Sequence, residues 1–537
     1  MSQADERGET LSQLLASQVE RTPDATALID AHASLSFAEL ADRAARVAAG
    51  LAACGVGPGD RVAVWLPNRF AWVELEFALA RLGAVAVAIN TKFRKHEVED
   101  ILERAAARLL VLPGGADGVD YLALVEQFEP DRLRTLDTVI TVGERTASGE
   151  VAGRPSLAYD DLYQHAPADD GARSDAACNV FTSSGTTSAP KLVVHRQSAI
   201  THQARAIASR FGFVAAADTV VLAMLPFCGV FGFNTVMGAL AAGRPVVLQP
   251  SFDTDGAIEL IERHRVTYTS GSDEMFRRIL AAAPAERIAS LRSGAFANFS
   301  ADAAALVADG QARGMQLFQT FGSSEVQALM SHAPAGSGPA RWALGGGTPS
   351  SDATRVRVRD TETAKLLPDG EAGELEIAGP NVMVEYMNNP EATARTVTAD
   401  GYIRTGDLGY IEGPDSFVYL ARLGDTLRLG GFLVNPREIE AYLEAFESIA
   451  LAQVVAVDTD RGPRPVAFVI AAGDAAVIDE AAIIDACQAD MAKFKVPIRL
   501  LRVDAFPTTS SANGEKIQKT RLREQAQAVV DAMEDSA

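Results

Sequence analysis

Ten residues near the middle of the chain, Thr182-Ser183-Ser184-Gly185-Thr186-Thr187-Ser188-Ala189-Pro190-Lys191, combine hydroxyls, a glycine and a terminal lysine. Successive backbone N–H groups in a small-residue turn form a concave nest for an anion, hydroxyls add donors, and an ammonium offsets phosphate charge. The chemistry this suits is polyphosphate binding. Asn179-Val180-Phe181 and Leu192-Val193-Val194 flank the run, which predicts strand, loop, strand. It is not a Walker loop, because Pro190 and Leu192 stand where a glycine and a magnesium-binding hydroxyl would be. Composition alone reads such a run equally as a solvated linker. The apolar flanks and the Pro-Lys ending favour phosphate.

Five further segments carry chemistry. Gln319-Thr320-Phe321-Gly322-Ser323-Ser324-Glu325 offers an aromatic that could lie on a purine, a hydroxyl, and a carboxylate able to hold magnesium. Thr405-Gly406-Asp407 puts a carboxylate after a glycine turn, suited to accepting two ribose hydroxyls, and Arg422 could add a ribose or phosphate contact. Gly430-Gly431-Phe432 followed by Pro436-Arg437-Glu438 looks like a glycine turn opening a helix, and Gly514-Glu515-Lys516 places a lysine in a late turn. Each has an ordinary reading alone: Thr-Gly-Asp as a plain turn, Glu325 as part of a helix capping box, Lys516 as a solvated tail residue.

The elements that must position these residues are those of an α/β protein. Val62 to Leu66, a helix-period segment through Leu82, and Ala84 to Ile89 read as a β-α-β unit. The alternation recurs over Val220 to Leu248 and Val266 to Leu280, predicting a mainly parallel sheet. Gly55, Gly57 and Gly59 precede a strand and read as a turn, not as a dinucleotide fingerprint. After Trp342, short alternating strands predict a small β-rich subdomain, and beyond Arg422 an α+β unit closes the chain. The expected organisation is a large multi-subdomain N-terminal domain over 1–423 and a small mobile C-terminal domain over 424–537, hinged near Gly424.

Bulk properties narrow the partners. With 537 residues, 48% hydrophobic and 22% charged, the composition is that of a soluble globular chain of more than one domain. A net charge of −21 repels nucleic acid and anionic lipid, so an anionic ligand needs a local cluster of Lys and Arg. Asp5, Glu6, Arg7 and Glu9 break up the first twenty residues, and Val220 to Leu248 carries Pro226, Asn234 and Arg244; neither reads as a leader or a membrane span, and a cytoplasmic location is expected. Cys54, Cys178, Cys228 and Cys487 are scattered, with no disulfide or structural-metal spacing.

Taken in order, the phosphate loop, the Phe-Gly-Ser-Ser-Glu run, Thr-Gly-Asp, Arg422, the Gly-Gly turn and Lys516 resemble the adenylate-forming superfamily, which includes acyl-CoA synthetases, luciferases and peptide-synthetase adenylation domains. The resemblance spans Leu35-Ser36-Phe37 to Lys516. It implies a ligase in which a carboxylate attacks the α-phosphate of ATP, and a thiol then attacks the acyl-adenylate. The terminal domain presents Lys516 in the first step and the Gly430-Gly431-Phe432 face, with coenzyme A, in the second. By position, Ser184, Gly185, Thr186, Thr187 and Lys191 hold the β- and γ-phosphates, Phe321 and Gly322 form the adenine site, Ser324 meets the α-phosphate, Glu325 binds Mg2+, and Asp407 with Arg422 holds ribose. Lys516, Glu325, Ser324 and Lys191 are the expected catalytic groups.

Gly229, Val230, Phe231, Gly232 and Ser272 are expected at the acyl site. No Asp or Glu lies between Thr219 and Phe252 to pair an ammonium, which disfavours α-amino acids. With no carrier domain in the chain, coenzyme A is the expected acceptor and a bulky hydrophobic acid the expected substrate; a homodimer is left open. The chain departs from the family pattern at Ser188 and Leu192, where glycines are usual, at Gly229, where histidine is common, at the Gly424 hinge, and at Lys516, which follows Gly514 by two places. These departures raise one alternative, a variant that adenylates poorly and mainly thioesterifies a premade acyl-adenylate; two rival classes stand beside it, a noncatalytic acyl-nucleotide binding protein and a luciferase-like oxygenase, for which the sequence supplies no positive sign.

Overall fold

The computed structural model describes residues 8–115, 119–143, 149–167, 169–183, 190–298, 303–429, 432–459, 462–473, 477–511 and 514–534. Ser184 to Ala189 of the phosphate loop and the Gly430-Gly431 pair lie outside them.

Two large sheets form the body of the chain. In the nine-stranded sheet Arg61–Val64 runs parallel to both Val85–Ala88 and Leu109–Pro113, and Ala177–Thr182 runs parallel to Val85–Ala88. The first β-α-β unit is formed as expected: apolar runs give the two strands, and the helix Phe70–Leu82 crosses between them. The glycines ahead of Arg61–Val64 make a turn, with Gly55 and Gly59 in the left-handed region. In the seven-stranded sheet Gln316–Gln319, Ser293–Ala297, Tyr268–Ser272, Val221–Ala223, Val246–Leu248 and Thr26–Ile29 are successive parallel neighbours.

One hydrophobic cluster joins the two sheets, taking Val62, Val64, Ala86 and Ala88 from one and Val221, Ala223, Val246 and Leu248 from the other. The helices Phe70–Leu82, Gln197–Arg210 and Val230–Ala241 contribute to it. Every residue of Val230–Ala241 is buried, as a helix without a polar face must be. Phe70–Leu82 buries two carboxyls that its apolar surroundings do not announce. Glu74 accepts hydrogen bonds from the Tyr159 and Tyr163 hydroxyls at 2.9 and 2.5 Å. Glu76 accepts one from Asn179 Nδ2 at 2.7 Å, and burial pushes its carboxyl up to about 8, so it is neutral at pH 7.

A six-stranded antiparallel sheet follows, built from Ser331–His332, Gly345–Pro349, Ser416–Arg422, Ile403–Gly413, Gly373–Ala378 and Arg355–Arg359 in spatial order. This is the β-rich subdomain expected after Trp342. From Leu427 onward come two short hairpins, the sheet Ile449–Val457, Arg464–Ala471 and Leu500–Arg502, and helices Pro436–Glu444, Glu480–Asp490 and Lys519–Glu534. The two hydrophobic clusters of this region draw only on residues from 427 onward. Among the described residues no helix is long and apolar enough to cross a membrane.

Candidate active site

Parallel strands share one C-terminal edge, and loops leaving that edge form the crevice in which open α/β sheets bind ligands. Four of the expected segments leave strands there. Val221–Ala223 leads into Gly229 and the helix Val230–Ala241, Tyr268–Ser272 leads into the helix Asp273–Ala282, Gln316–Gln319 leads into Phe321 to Glu325, and Ala177–Thr182 leads into the phosphate loop. The topology thus gathers on the edges of two sheets residues as far apart in the chain as Thr182 and Glu325.

The phosphate loop is the connection of an antiparallel pair, with Leu192 opposite Thr182 and Ser183 N–H donating to Lys191 O at 2.9 Å. The Leu192 side chain is buried in the hydrophobic cluster with Val180 and Val194. Its departure from glycine therefore fills the core. At the other end of the loop, Lys191 Nζ sits 4.4 Å from the centroid of the Tyr386 ring. The Tyr386 hydroxyl donates to Glu325 Oε1 at 2.9 Å.

Ser323 to Gln327 form a tight turn closed by a bridge between those two residues, and no helix starts at Glu325, which removes its capping-box reading. Gly322 passes against the Ala328 backbone, where a Cβ would come within 2.5 Å of Ala328 Cα. Just beyond, Gln327 and Leu329 hold φ of 63° and 55°, the left-handed region that side-chain-bearing residues avoid. Buried side chains hold this strained segment in place. Asn381 Nδ2 donates to Val326 O at 2.6 Å, Gln203 Nε2 to Ala328 O at 3.0 Å and Leu329 O at 3.1 Å, Asn234 Nδ2 to Ala328 O at 3.2 Å, and Ser350 Oγ to Leu329 O at 2.5 Å. His195 Nε2 lies 2.7 Å from Ser324 O, so that nitrogen carries the proton. Burial lowers the imidazole to about 4, leaving it neutral at pH 7.

Phe321 is buried, its ring 5.5 Å from both Phe417 and Tyr419. Both partners stand on Ser416–Arg422, the strand that ends in Arg422. Its neighbour Ile403–Gly413 carries Asp407 directly opposite Arg422, and Arg422 Nη1 lies 3.2 Å from Asp407 Oδ1. Burial raises the Asp407 carboxyl to about 6 against the pull of Arg422, and the Glu325 charge adds to the rise. A chain of contacts therefore runs from Lys191 through Tyr386 and Glu325 to the Phe321 turn, and on through the paired strands to Asp407.

Of the residues expected at an acyl site, Gly229 is the N-cap of Val230–Ala241, and Val230 and Phe231 are buried. A Cβ on Gly232 would lie 2.5 Å from Pro226 O and 2.6 Å from Leu225 O, so only glycine fits. The Ser272 hydroxyl accepts from Met275 N at 3.2 Å and caps Asp273–Ala282, a structural duty its sequence context did not assign. Gly424 lies in the short 3-10 turn Leu423–Asp425, where an added Cβ would meet nothing within 4 Å and φ is not left-handed. Phe432 opens the strand Phe432–Val434, and Lys516 stands on Gly514–Ile517 opposite Thr509.

Among the described residues no group of three or more His, Cys, Asp or Glu side chains could hold a metal on its own. One carboxylate, Glu325, fits a magnesium ion that takes its remaining ligands from phosphate and water. The amides and hydroxyl that clamp 326–330, the His195 ring and Tyr386 were all missed in the sequence. Only Asn234 had been noted there, as a polar break in an apolar run.

The family model described as AMP-binding enzyme matches residues 15–387, and that described as AMP-binding enzyme C-terminal domain matches 438–513. A (7a-methyl-1,5-dioxo-octahydroindenyl)propanoyl:CoA ligase of Mycobacterium tuberculosis is 31% identical, covering 94% of this chain and 97% of its own. A 2-hydroxy-7-methoxy-5-methyl-1-naphthoate–CoA ligase of Streptomyces carzinostaticus is 30% identical over 96% of this chain and 93% of its own. The solved structure of MenE from Bacillus subtilis, an O-succinylbenzoate coenzyme A synthetase in complex with ATP and magnesium ion, superposes with a TM-score of 0.75 at 25% identity, covering 94% of this chain and 98% of that one. Matched along nearly its whole length by these two models and by full-length relatives, the chain belongs to the AMP-binding enzyme family, as an AMP-forming acid–thiol ligase.

Proposed function

We propose that the chain joins a bulky hydrophobic carboxylic acid to coenzyme A through an acyl-adenylate. The observation that carries this reading is the run of contacts linking Lys191, Glu325, Phe321, Asp407 and Arg422 at one edge of the fold. Asp407 and Arg422 hold the ribose, Phe321 backed by Tyr419 faces the adenine beside Gly322, and Ser324 meets the α-phosphate. Lys191, together with Ser184 to Thr187, holds the β- and γ-phosphates. Glu325 is the residue that would hold Mg2+, whose charge offsets that of the departing pyrophosphate. The acid enters beside Gly229, Val230 and Phe231, in a segment, 219–252, that carries no Asp or Glu to pair an ammonium.

The carboxylate oxygen attacks the α-phosphorus, the bond to the β-phosphate oxygen breaks, and pyrophosphate leaves. Lys516 stabilises the charge that develops between the acid and the α-phosphate. Residues 424–537 are a separate unit that turns about Leu423–Asp425, so that the Gly430-Gly431-Phe432 face replaces Lys516 and guides the thiol of coenzyme A to the acyl carbon, expelling AMP. The self-contained hydrophobic clusters beyond residue 427 support this division. The burial of the Leu192 side chain supports a competent first step, because that departure does not crowd the loop.

The test is a panel of bicyclic, aromatic and medium-chain acids, with α-amino acids as controls, incubated with ATP, Mg2+ and coenzyme A. Acid-dependent pyrophosphate release and matching thioester are expected from one of the hydrophobic groups and none from amino acids. Thioester formed only from supplied acyl-adenylates would replace the reading with the transfer-only variant. Neither product across the panel, with nucleotide still bound, would leave a binding protein.

A further inference from the structure

Tyr386 stands between two groups of opposite charge. Its ring carries the Lys191 ammonium at 4.4 Å, and its hydroxyl donates to Glu325 Oε1 at 2.9 Å. The residue itself is fixed. It is 2% exposed and lies on the edge strand Glu385–Tyr386 opposite Val193, and its N–H donates to Thr393 Oγ1 at 3.0 Å. The same segment grips the carboxylate's own backbone, with Met383 N donating to Glu325 O at 2.7 Å. No ion pair to Lys191 is found among the described residues.

An ammonium and a carboxylate in a partly buried crevice gain most by pairing directly, and a pair so formed must be broken before phosphate and a cation can use either charge. A neutral aromatic with a hydroxyl offers each a weaker partner: the ring face takes the ammonium, the phenol proton takes one carboxylate oxygen. As the donor in that hydrogen bond, the hydroxyl keeps its proton and adds no charge of its own between the two groups. We propose that Tyr386 is a positioning residue for the triphosphate: a neutral spacer that keeps Lys191 and Glu325 from collapsing onto each other while the site is empty and aims each at its own part of the incoming Mg·ATP. This rests on the reading of Lys191 and Glu325 given above. Incoming phosphate oxygens would draw the ammonium off the ring, while the hydroxyl stays on Oε1 and the rest of the Glu325 carboxylate would be free to hold the cation.

The experiment compares Tyr386→Phe, which keeps the ring face and loses the hydroxyl, with Tyr386→Leu, which loses both. Calorimetric titration with ATP in EDTA, with Mg·ATP and with AMP is followed by a magnesium titration of pyrophosphate release. Tyr386→Phe should raise the magnesium concentration for half-saturation about tenfold while ATP binding in EDTA changes by less than about twofold. Tyr386→Leu should weaken ATP binding in EDTA about tenfold as well, and adding Glu325→Gln in that background should restore it, because no carboxylate remains to capture Lys191. A merely structural role would lower AMP affinity, ATP affinity and melting temperature together, with no rescue by Glu325→Gln; that result, or wild-type binding in both variants, overturns the proposal. If no acid elicits pyrophosphate from the unmodified enzyme the catalytic reading fails, but the binding titrations still decide the role of Tyr386.

Discussion

Replacing Asp407 by Asn should stabilise the empty protein and cripple its nucleotide binding. The carboxyl is buried, with Arg422 Nη1 at 3.2 Å and the Thr405 hydroxyl as polar partners, and burial outweighs both, raising it to about 6 from the ordinary 3.8. A rise of roughly two pKa units corresponds to about 3 kcal/mol that the folded state spends on holding the ionised form at neutral pH. The folded pKa is the higher one, so the folded state binds the proton more tightly. The Asp407 penalty is then absent below pH 4, grows as pH rises from about 4 to about 6, and is carried in full above that. An asparagine is neutral at every pH. Asp407→Asn should therefore raise the unfolding free energy by up to about 3 kcal/mol at pH 8, by about half as much near pH 5, and by almost nothing below pH 4. Arg422 is half exposed, so water takes over its partner's place. Thermal unfolding of both proteins at pH 5 and pH 8 without nucleotide reads the first effect. Calorimetry with AMP reads the second, where loss of the charged acceptor should cost at least about a hundredfold in affinity. A variant no more stable than wild type at pH 8, or a gain that fails to shrink on acidification, would refute the electrostatic reasoning. Unimpaired AMP affinity would refute the placement of the ribose.

Other expectations follow from the same site. Lys516→Ala should slow pyrophosphate release about a hundred- to a thousandfold while thioester formation from supplied acyl-adenylate falls far less, and equal losses in separate half-reaction assays would contradict a lysine used in one pose only. Gly232→Ala forces a methyl to within about 2.5 Å of two backbone carbonyls and should destabilise by about 1–3 kcal/mol in denaturant titrations, with the helix Val230–Ala241 displaced. Gly229→Trp should raise KM for the bulkiest accepted acids at least about tenfold and spare short ones, as a substrate-size series would measure.

Much of the scaffold could be read from the sequence because apolar periodicity is a local signal. The strands flanking the phosphate loop, the β-α-β unit through Leu82 and the β-rich stretch after Trp342 all stand where short windows of sequence place them. Candidate site residues could be picked out where chemistry is concentrated in a short run, as in Thr405-Gly406-Asp407. What the sequence could not supply was register: Asp407 faces Arg422 because the two strands pair at that rung. Tyr386 was invisible for the same reason, since its meaning comes from Glu325, 61 residues away. Glu74 and Glu76 sat in an apolar helical run, where a charged residue ordinarily marks the solvent face, and burial with tyrosine and asparagine partners overrides that rule. Leu192 stood as an unexplained departure from the family's glycine while its direction was unknown and becomes core packing once the strand alternation is fixed.

The segment 326–330 has a consequence for how this enzyme can change. Gln203, Asn234, Asn381 and Ser350 reach its carbonyls from four distant stretches of chain and hold two residues in a costly backbone conformation directly behind Glu325. Asn234 belongs to the helix that Gly229 caps, so any change that shifts this helix also loosens the clamp behind Glu325. Diversification here is tethered: a tolerated change of diet has to come from positions that leave the four anchors alone, or arrive together with a glycine at Gln327 or Leu329 that relieves the twist they restrain.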